Sequence, residues 1–312
     1  MFVAIISFVG TLVVTPGVAY SFNDAEHFCK SSLTKAIPSR TRDAISASSF
    51  VKKVNRSNGE KREALILDQI MDGNIPEFLR HLYPVTIKKK MRDGSRITIT
   101  LCVMPDYLAV GSDHDFLRIP MGMKTATTIA HWFDFALPTP KIVDAIHAQS
   151  DKHLVPKPMK PGPEMSSTEY YSQHNRLIEQ QRRAKNIPLG SLMAGQKKDL
   201  VITKHLRKKP GRVAIYGWQR SNGKPIQPLS TVHDAEYADY SHGVRLVSTT
   251  AYVNGKKRSL YDLLEDPKLA SMISKEGGIP NSAKLVASKL NLTAKRLSAY
   301  KRSVYKTYVW IN

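Results

Sequence analysis

The chain reads as an α+β protein: a mixed, largely antiparallel sheet with packed helices in a single main domain. Three observations point there. Strand-like and helix-like segments follow one another without the regular strand–helix repeat of a parallel α/β fold. Residues 85–103 carry the alternation and Asp-Gly turn of a β-hairpin. The 312 residues, 42% hydrophobic and 23% charged, have the composition of a globular chain long enough to bury a core.

Taken in order, residues 1–19 predict a secretory signal peptide. An apolar stretch broken only by Ser7, Gly10 and Thr11 leads to a breaker and small residues, Pro16-Gly17-Val18-Ala19. That stretch is too short for a transmembrane helix, and no later segment is long and apolar enough to span. Ala64, Leu67, Ile70 and Met71 lie on one helical face, predicting a helix over 60–72 that Gly73-Asn74 stops. Ile97, Ile99, Leu101 and Val103 alternate as the second strand of the 85–103 hairpin. Short strands follow at 107–110 and 116–119 around Gly111-Ser112-Asp113-His114-Asp115, then helices at 125–135 and 139–149.

Residues 155–168 hold four prolines and a glycine, the composition of a covering loop or linker. A polar helix is expected over 170–185, with His174 on its surface. Strands are expected at 200–203, 212–218 and 244–253. The segment 281–312 carries seven basic residues and no acid, with Val286, Leu290, Ala294, Leu297, Tyr300 and Val304 at helical spacing. The main domain is therefore 20–280, followed by a basic amphipathic terminus.

Forty-seven Lys+Arg against 26 Asp+Glu leave a net charge of +21. Such a charge favours an anionic partner, and nucleic acid is a possible but not favoured one. Two cysteines, Cys29 and Cys102, are too few for a disulfide framework or a four-cysteine zinc site. Export lets them pair with each other, which in the chain-entropy model is worth about 4 kcal/mol; two separate buried thiols are the alternative.

Chemistry concentrates in residues 233–245. Asp239 and His242 stand three apart, so one turn of tight backbone puts them on one face, and His233 can return to the same place. Two imidazoles and a carboxylate suit either of two arrangements. One is a divalent metal on His233, Asp239 and His242 with an open water position. The other is a metal-free acid/base pair in which Asp239 orients a ring, with Ser241 and Tyr240 beside it. Tyr237, Trp218 and Arg245 are candidate substrate contacts. From Lys197 to Lys224 there are nine basic residues and one acid, Asp199. Lys197, Lys198 and Asp199 thus suggest a charged wall beside the site. Gly111–Asp115 is a weaker metal candidate. The chain lacks HExxH, a GxSxG elbow and a P-loop.

Five motifs occur together: GNIPEFLR (73–80), PDYLAVGSD (105–113), GQKKD (195–199), YGW (216–218) and DYSHG (239–243). Over residues 60–275 they resemble an uncharacterised family of exported microbial proteins. The resemblance implies no established activity. It implies histidine at the positions of Gln196 and Gln219, where this chain departs.

These features predict a secreted hydrolase of an extracellular anionic polymer, peptidoglycan or polysaccharide. A non-catalytic binding protein for anionic glycan or surface is the alternative. A polysaccharide lyase or a secreted nuclease ranks third.

Overall fold

A computed structural model describes residues 23–55, 57, 59–150 and 152–288. The predicted signal segment 1–19 and most of the basic terminus lie outside the described residues.

The strands are β1 (Tyr83–Lys90), β2 (Arg96–Val103), β3 (Ala109–Gly111), β4 (Phe116–Arg118), β5 (Phe135–Ala136), β6 (Lys152–His153) and β7 (Met193–Ala194). They continue with β8 (Lys198–Leu200), β9 (Ile215–Gln219), β10 (Pro225–Ser230), β11 (His242–Gly243), β12 (Val247–Val253) and β13 (Lys256–Ser259). The helices are α1 (Asn23–Glu26), α2 (Ala47–Val54), α3 (Gly59–Met71), α4 (Met123–Trp132), α5 (Pro140–Gln149), α6 (Thr168–Ala184), α7 (Leu260–Glu265), α8 (Ala270–Ile273) and α9 (Ser282–Ala287).

Two sheets organise the fold. The first has order β1-β2-β12-β13, with β5 also on β12, and every pairing in it is antiparallel. The second has order β10-β9-β8-β11; its β8–β11 pairing is parallel and the rest antiparallel. Alternation places Val85, Ile99, Leu101, Val103 and Ala251 on the buried face of the first sheet. Helix α5 touches both β1 and β9. One apolar core consequently runs through both sheets. The architecture is α+β, as the element order predicts. Cys29 and Cys102 form a disulfide with Cα atoms 5.3 Å apart, pinning the N-terminal segment to β2. Among the described residues no helix is long and apolar enough to cross a membrane.

The helix over Gly59–Met71 and the hairpin stand close to their predicted bounds. The strand expected at 244–253 begins at Val247, and four further features differ, each for a local reason. The strand expected at 200–203 shifts back to Lys198–Leu200, because Thr203 instead caps a 3-10 turn through His205 N–H. The expected 212–218 strand begins only at Ile215, since Val213 N–H is spent on His233 C=O. Strand β10 goes unpredicted because Pro225 and Pro228 mask it; prolines are tolerated there because it is an edge strand. His174 is fully buried rather than on the surface, since it shares one face of α6 with Tyr171 and Ile178.

Candidate active site

The segment with the most reactive side chains closes one edge of the second sheet. His242 N–H donates to Asp239 C=O at 3.0 Å, so the two residues are joined by a tight turn. Asp239 Oδ1 accepts from Ser241 N–H at 2.7 Å and from Ser241 Oγ at 2.5 Å. This leaves Oδ2 facing three other groups: Tyr237 Oη at 3.3 Å, His242 Nε2 at 3.8 Å and Lys198 Nζ at 4.0 Å. Register explains why Lys198 arrives. In the parallel β8–β11 pair His242 stands opposite Lys198, and paired residues share a face. The Lys198 ammonium also lies 5.3 Å from the Trp218 ring centroid.

His242 is buried, and neither ring nitrogen has a hydrogen-bond partner among the described residues. Burial lowers its pKa to about 4, more than the Asp239 carboxylate raises it, so the ring is neutral at neutral pH. Burial pushes Asp239 upward, but His242 when protonated, Lys198 and the Ser241 hydrogen bonds outweigh this and hold its pKa low. The pair is therefore a neutral imidazole beside a fixed carboxylate.

His233 reaches this pair only through an intermediary. Its ring stacks on Tyr237 at 4.2 Å, and Tyr237 meets His242 edge-on at 5.6 Å. Among the described residues no three His, Cys, Asp or Glu side chains gather as a metal-ligand set. The set His233, Asp239 and His242 is thus interrupted by an aromatic ring, and the arrangement fits the metal-free alternative. Tyr240 points elsewhere: its hydroxyl accepts Met159 N–H at 2.8 Å, which ties the Pro-rich loop over the domain. The Gly111–Asp115 carboxylates serve backbone, Asp113 accepting from Phe78 N–H and Asp115 from Ser48 N–H.

Of the expected substrate contacts, Lys198 and Tyr237 reach solvent; Lys197, Asp199, Trp218 and Arg245 are buried. The charged wall predicted from GQKKD is corrected accordingly, since strand alternation sends Asp199 away from Lys198. Asp199 Oδ2 accepts from Tyr107 Oη at 2.8 Å, and burial raises its pKa to about 7 despite Arg245 nearby. Arg245 lies 4.4 Å over the Tyr107 ring and donates to Met104 and Met193 C=O. Lys197 Nζ donates to Tyr240 C=O at 2.7 Å, with His174 Nδ1 3.4 Å away. Burial, reinforced by Arg118, lowers the Lys197 pKa to about 7.

The sequence offered little sign of the remaining partners. Arg118 donates to Asp106 at 2.6 and 2.8 Å, to Glu179 at 2.9 Å and to Asn175 at 3.0 Å. Gln196 donates to the other Asp106 oxygen at 3.0 Å. Gln219, also buried, lies by Asp199 across Gly217, whose missing Cβ would sit 3.2–3.4 Å from both side chains. Gln196, Gln219, Asp106 and Tyr107 all fall in or beside the shared motifs, which was the one available signal.

Two surface cavities, of 530 and 310 Å³, are lined around Lys257 and Arg258 and around His114 and Arg183; neither includes His242. No protein-family model, curated protein or solved structure matches the chain. The functional reading therefore stands on these residues.

Proposed function

We propose that the protein is a hydrolase of an anionic polymer outside the cytoplasm, with His242 as general base. The observation that carries the reading is the His242 imidazole, neutral and unpartnered, beside an Asp239 carboxylate fixed on its other oxygen by Ser241. In this scheme water gives a proton to His242 while its oxygen bonds to the electrophilic carbon. The bond to the leaving heteroatom breaks, and that atom takes the proton back from the imidazolium. Asp239 stabilises the transient cation. Lys198 and the Tyr237 hydroxyl are the groups available to developing negative charge. Substrate gains access by displacing Tyr237, whose hydroxyl is held to Asp239 only at 3.3 Å.

The net charge of +21 supports an anionic polymer as substrate. The disulfide and the lack of a membrane-crossing helix among the described residues are compatible with an extracytoplasmic location. One observation favours the non-catalytic alternative, a binding protein for anionic glycan: His242 has no exposed surface.

Incubation of the full chain with peptidoglycan sacculi and with polygalacturonate separates the readings. Hydrolysis releases soluble fragments without an unsaturated uronate chromophore, whereas a lyase would produce that chromophore. His242→Ala should abolish release while leaving polymer retention intact, and wild-type activity should rise with pH through about 4. Retention without release by the wild-type protein would replace the hydrolase with the binding protein.

A further inference from the structure

We propose that the outer face of the first sheet, at its hairpin end, is a docking surface for a carboxylate- or sulfate-bearing glycan. The inference rests on the anionic-polymer part of the function above and is independent of hydrolysis. It starts from the register of β1 and β2. Lys90 stands directly opposite Arg96, and Lys88 opposite Thr98. Alternation puts Lys88, Lys90 and Arg96 on one face, opposite to buried Val85, Ile99 and Leu101. On the same face two strands over, Lys257 pairs with Tyr252, which pairs with Thr100 of β2. Arg92 lies in the hairpin loop. Lys90, Arg92, Arg96 and Lys257 are exposed and have no ion-pair partner among the described residues.

Folding gives no reason for this arrangement. Like charges directly opposite on neighbouring strands are destabilising. Lysines on an edge strand discourage edge-to-edge pairing, and Lys88 and Lys90 of β1 could serve that purpose. Arg96 could not, because β2 lies inside the sheet between β1 and β12. The acids close by in sequence do not neutralise the patch. Asp93 accepts from Ser95 N–H and Oγ within its own turn, while Asp266 caps Lys268 and Leu269 N–H and pairs with Arg258.

Lys88 and Lys90 follow one another at about 7 Å along β1, and Arg96 stands about 5 Å across from Lys90. An extended polyanion can follow such spacing. Single-stranded nucleic acid needs aromatic platforms for its bases. The ring available here, Tyr252, is already packed against Phe28 at 4.4 Å. The disulfide fits an oxidising compartment in which surface glycans are the abundant polyanions.

The test compares two triple variants of the full chain, Lys90→Gln/Arg96→Gln/Lys257→Gln and Lys208→Gln/Lys209→Gln/Lys224→Gln. They lose equal charge from different places. Binding is measured on immobilised heparin and on polygalacturonate across a salt series, with duplex DNA and phosphatidylserine vesicles as further arms. The first variant should weaken glycan binding about tenfold or more and flatten its salt dependence, the second far less. Thermal unfolding of the first should be unchanged or raised, because a repulsive pair is gone, so lost binding is not lost fold. Equal losses in both variants would reduce the effect to net charge and overturn the proposal. Stronger retention on DNA or vesicles than on glycan would overturn the choice of partner. His242→Ala should bind glycan like the wild type, which keeps this inference separable from hydrolysis.

Discussion

Lys198 and Asp199 are adjacent in the chain and live in different chemical surroundings. On the Lys198 side, Tyr237, His242 and Lys198 each face Asp239 Oδ2 at 3.3–4.0 Å, a loose group that borders solvent. On the Asp199 side, Tyr107 and Arg245 lie under the fold, continuous through the Tyr107 N–H on Asp106 with the Arg118–Asp106 pair. The first arrangement leaves basic nitrogens unspent, which is what proton transfer requires. The second spends most of its hydrogen bonds internally, which is what positioning requires. Two charged residues in succession can thus belong to chemistry and to architecture, and strand alternation decides which.

The largest effect expected from disturbing the inner side comes from Arg118→Met. It strands buried Asp106 without its cation, while Glu179 keeps Arg182, and removing one partner of a buried pair typically costs about 3–5 kcal/mol. Urea unfolding should show a loss of that order; an unchanged midpoint would mean that the buried network does not support the outer group.

Next comes the pH dependence of Asp199. Its folded pKa of about 7 lies above its ordinary 3.8, so between these values the folded protein keeps a proton the unfolded chain has released. Wild-type stability therefore loses on the order of 4 kcal/mol from this group as pH rises from about 4 to about 7, and no more above that. Asp199→Asn lacks this component. The stability difference between wild type and variant should fall across that window, with His242 and Lys197 cancelling because both proteins contain them. A flat difference would mean that Asp199 ionises normally and that the inner side is wetter than described.

Gly243→Ala should have the smallest effect and tests how the sides communicate. A Cβ there would lie 2.5 Å from the Tyr107 ring, which cannot retreat without releasing Asp199. Overpacking of this kind costs about 1–3 kcal/mol. If the sides are coupled, the variant should also change the acid limb of activity set by His242. Lost stability with an unchanged limb would show them to be energetically separate.

Much of the framework was legible in the residues. The spacing of Ala64, Leu67, Ile70 and Met71 and the alternation from Ile97 to Val103 reflect burial of one face, which local periodicity records directly. The Asp239–His242 turn was equally legible, since three residues in tight backbone define their own geometry. The burial of His174 departs from the expected surface position because a polar helix with few apolar anchors conceals which face is covered. The Lys197–Asp199 run departs from the expected charged wall because a run of charges suggests solvent, whereas β8 pairs on both sides and has to turn alternate residues inward. Nothing in the motif PDYLA says that Tyr107 meets Asp199, 92 positions later.

Local order, composition and net charge thus determined the α+β class, the cationic character and the turn that carries His242, because each depends on neighbours along the chain. Tertiary structure alone decided that Lys198 rather than Lys197 faces His242 and that Asp199 turns inward to Tyr107. These depend on strand register, which the chain sets only when distant segments pair and one face closes against the core.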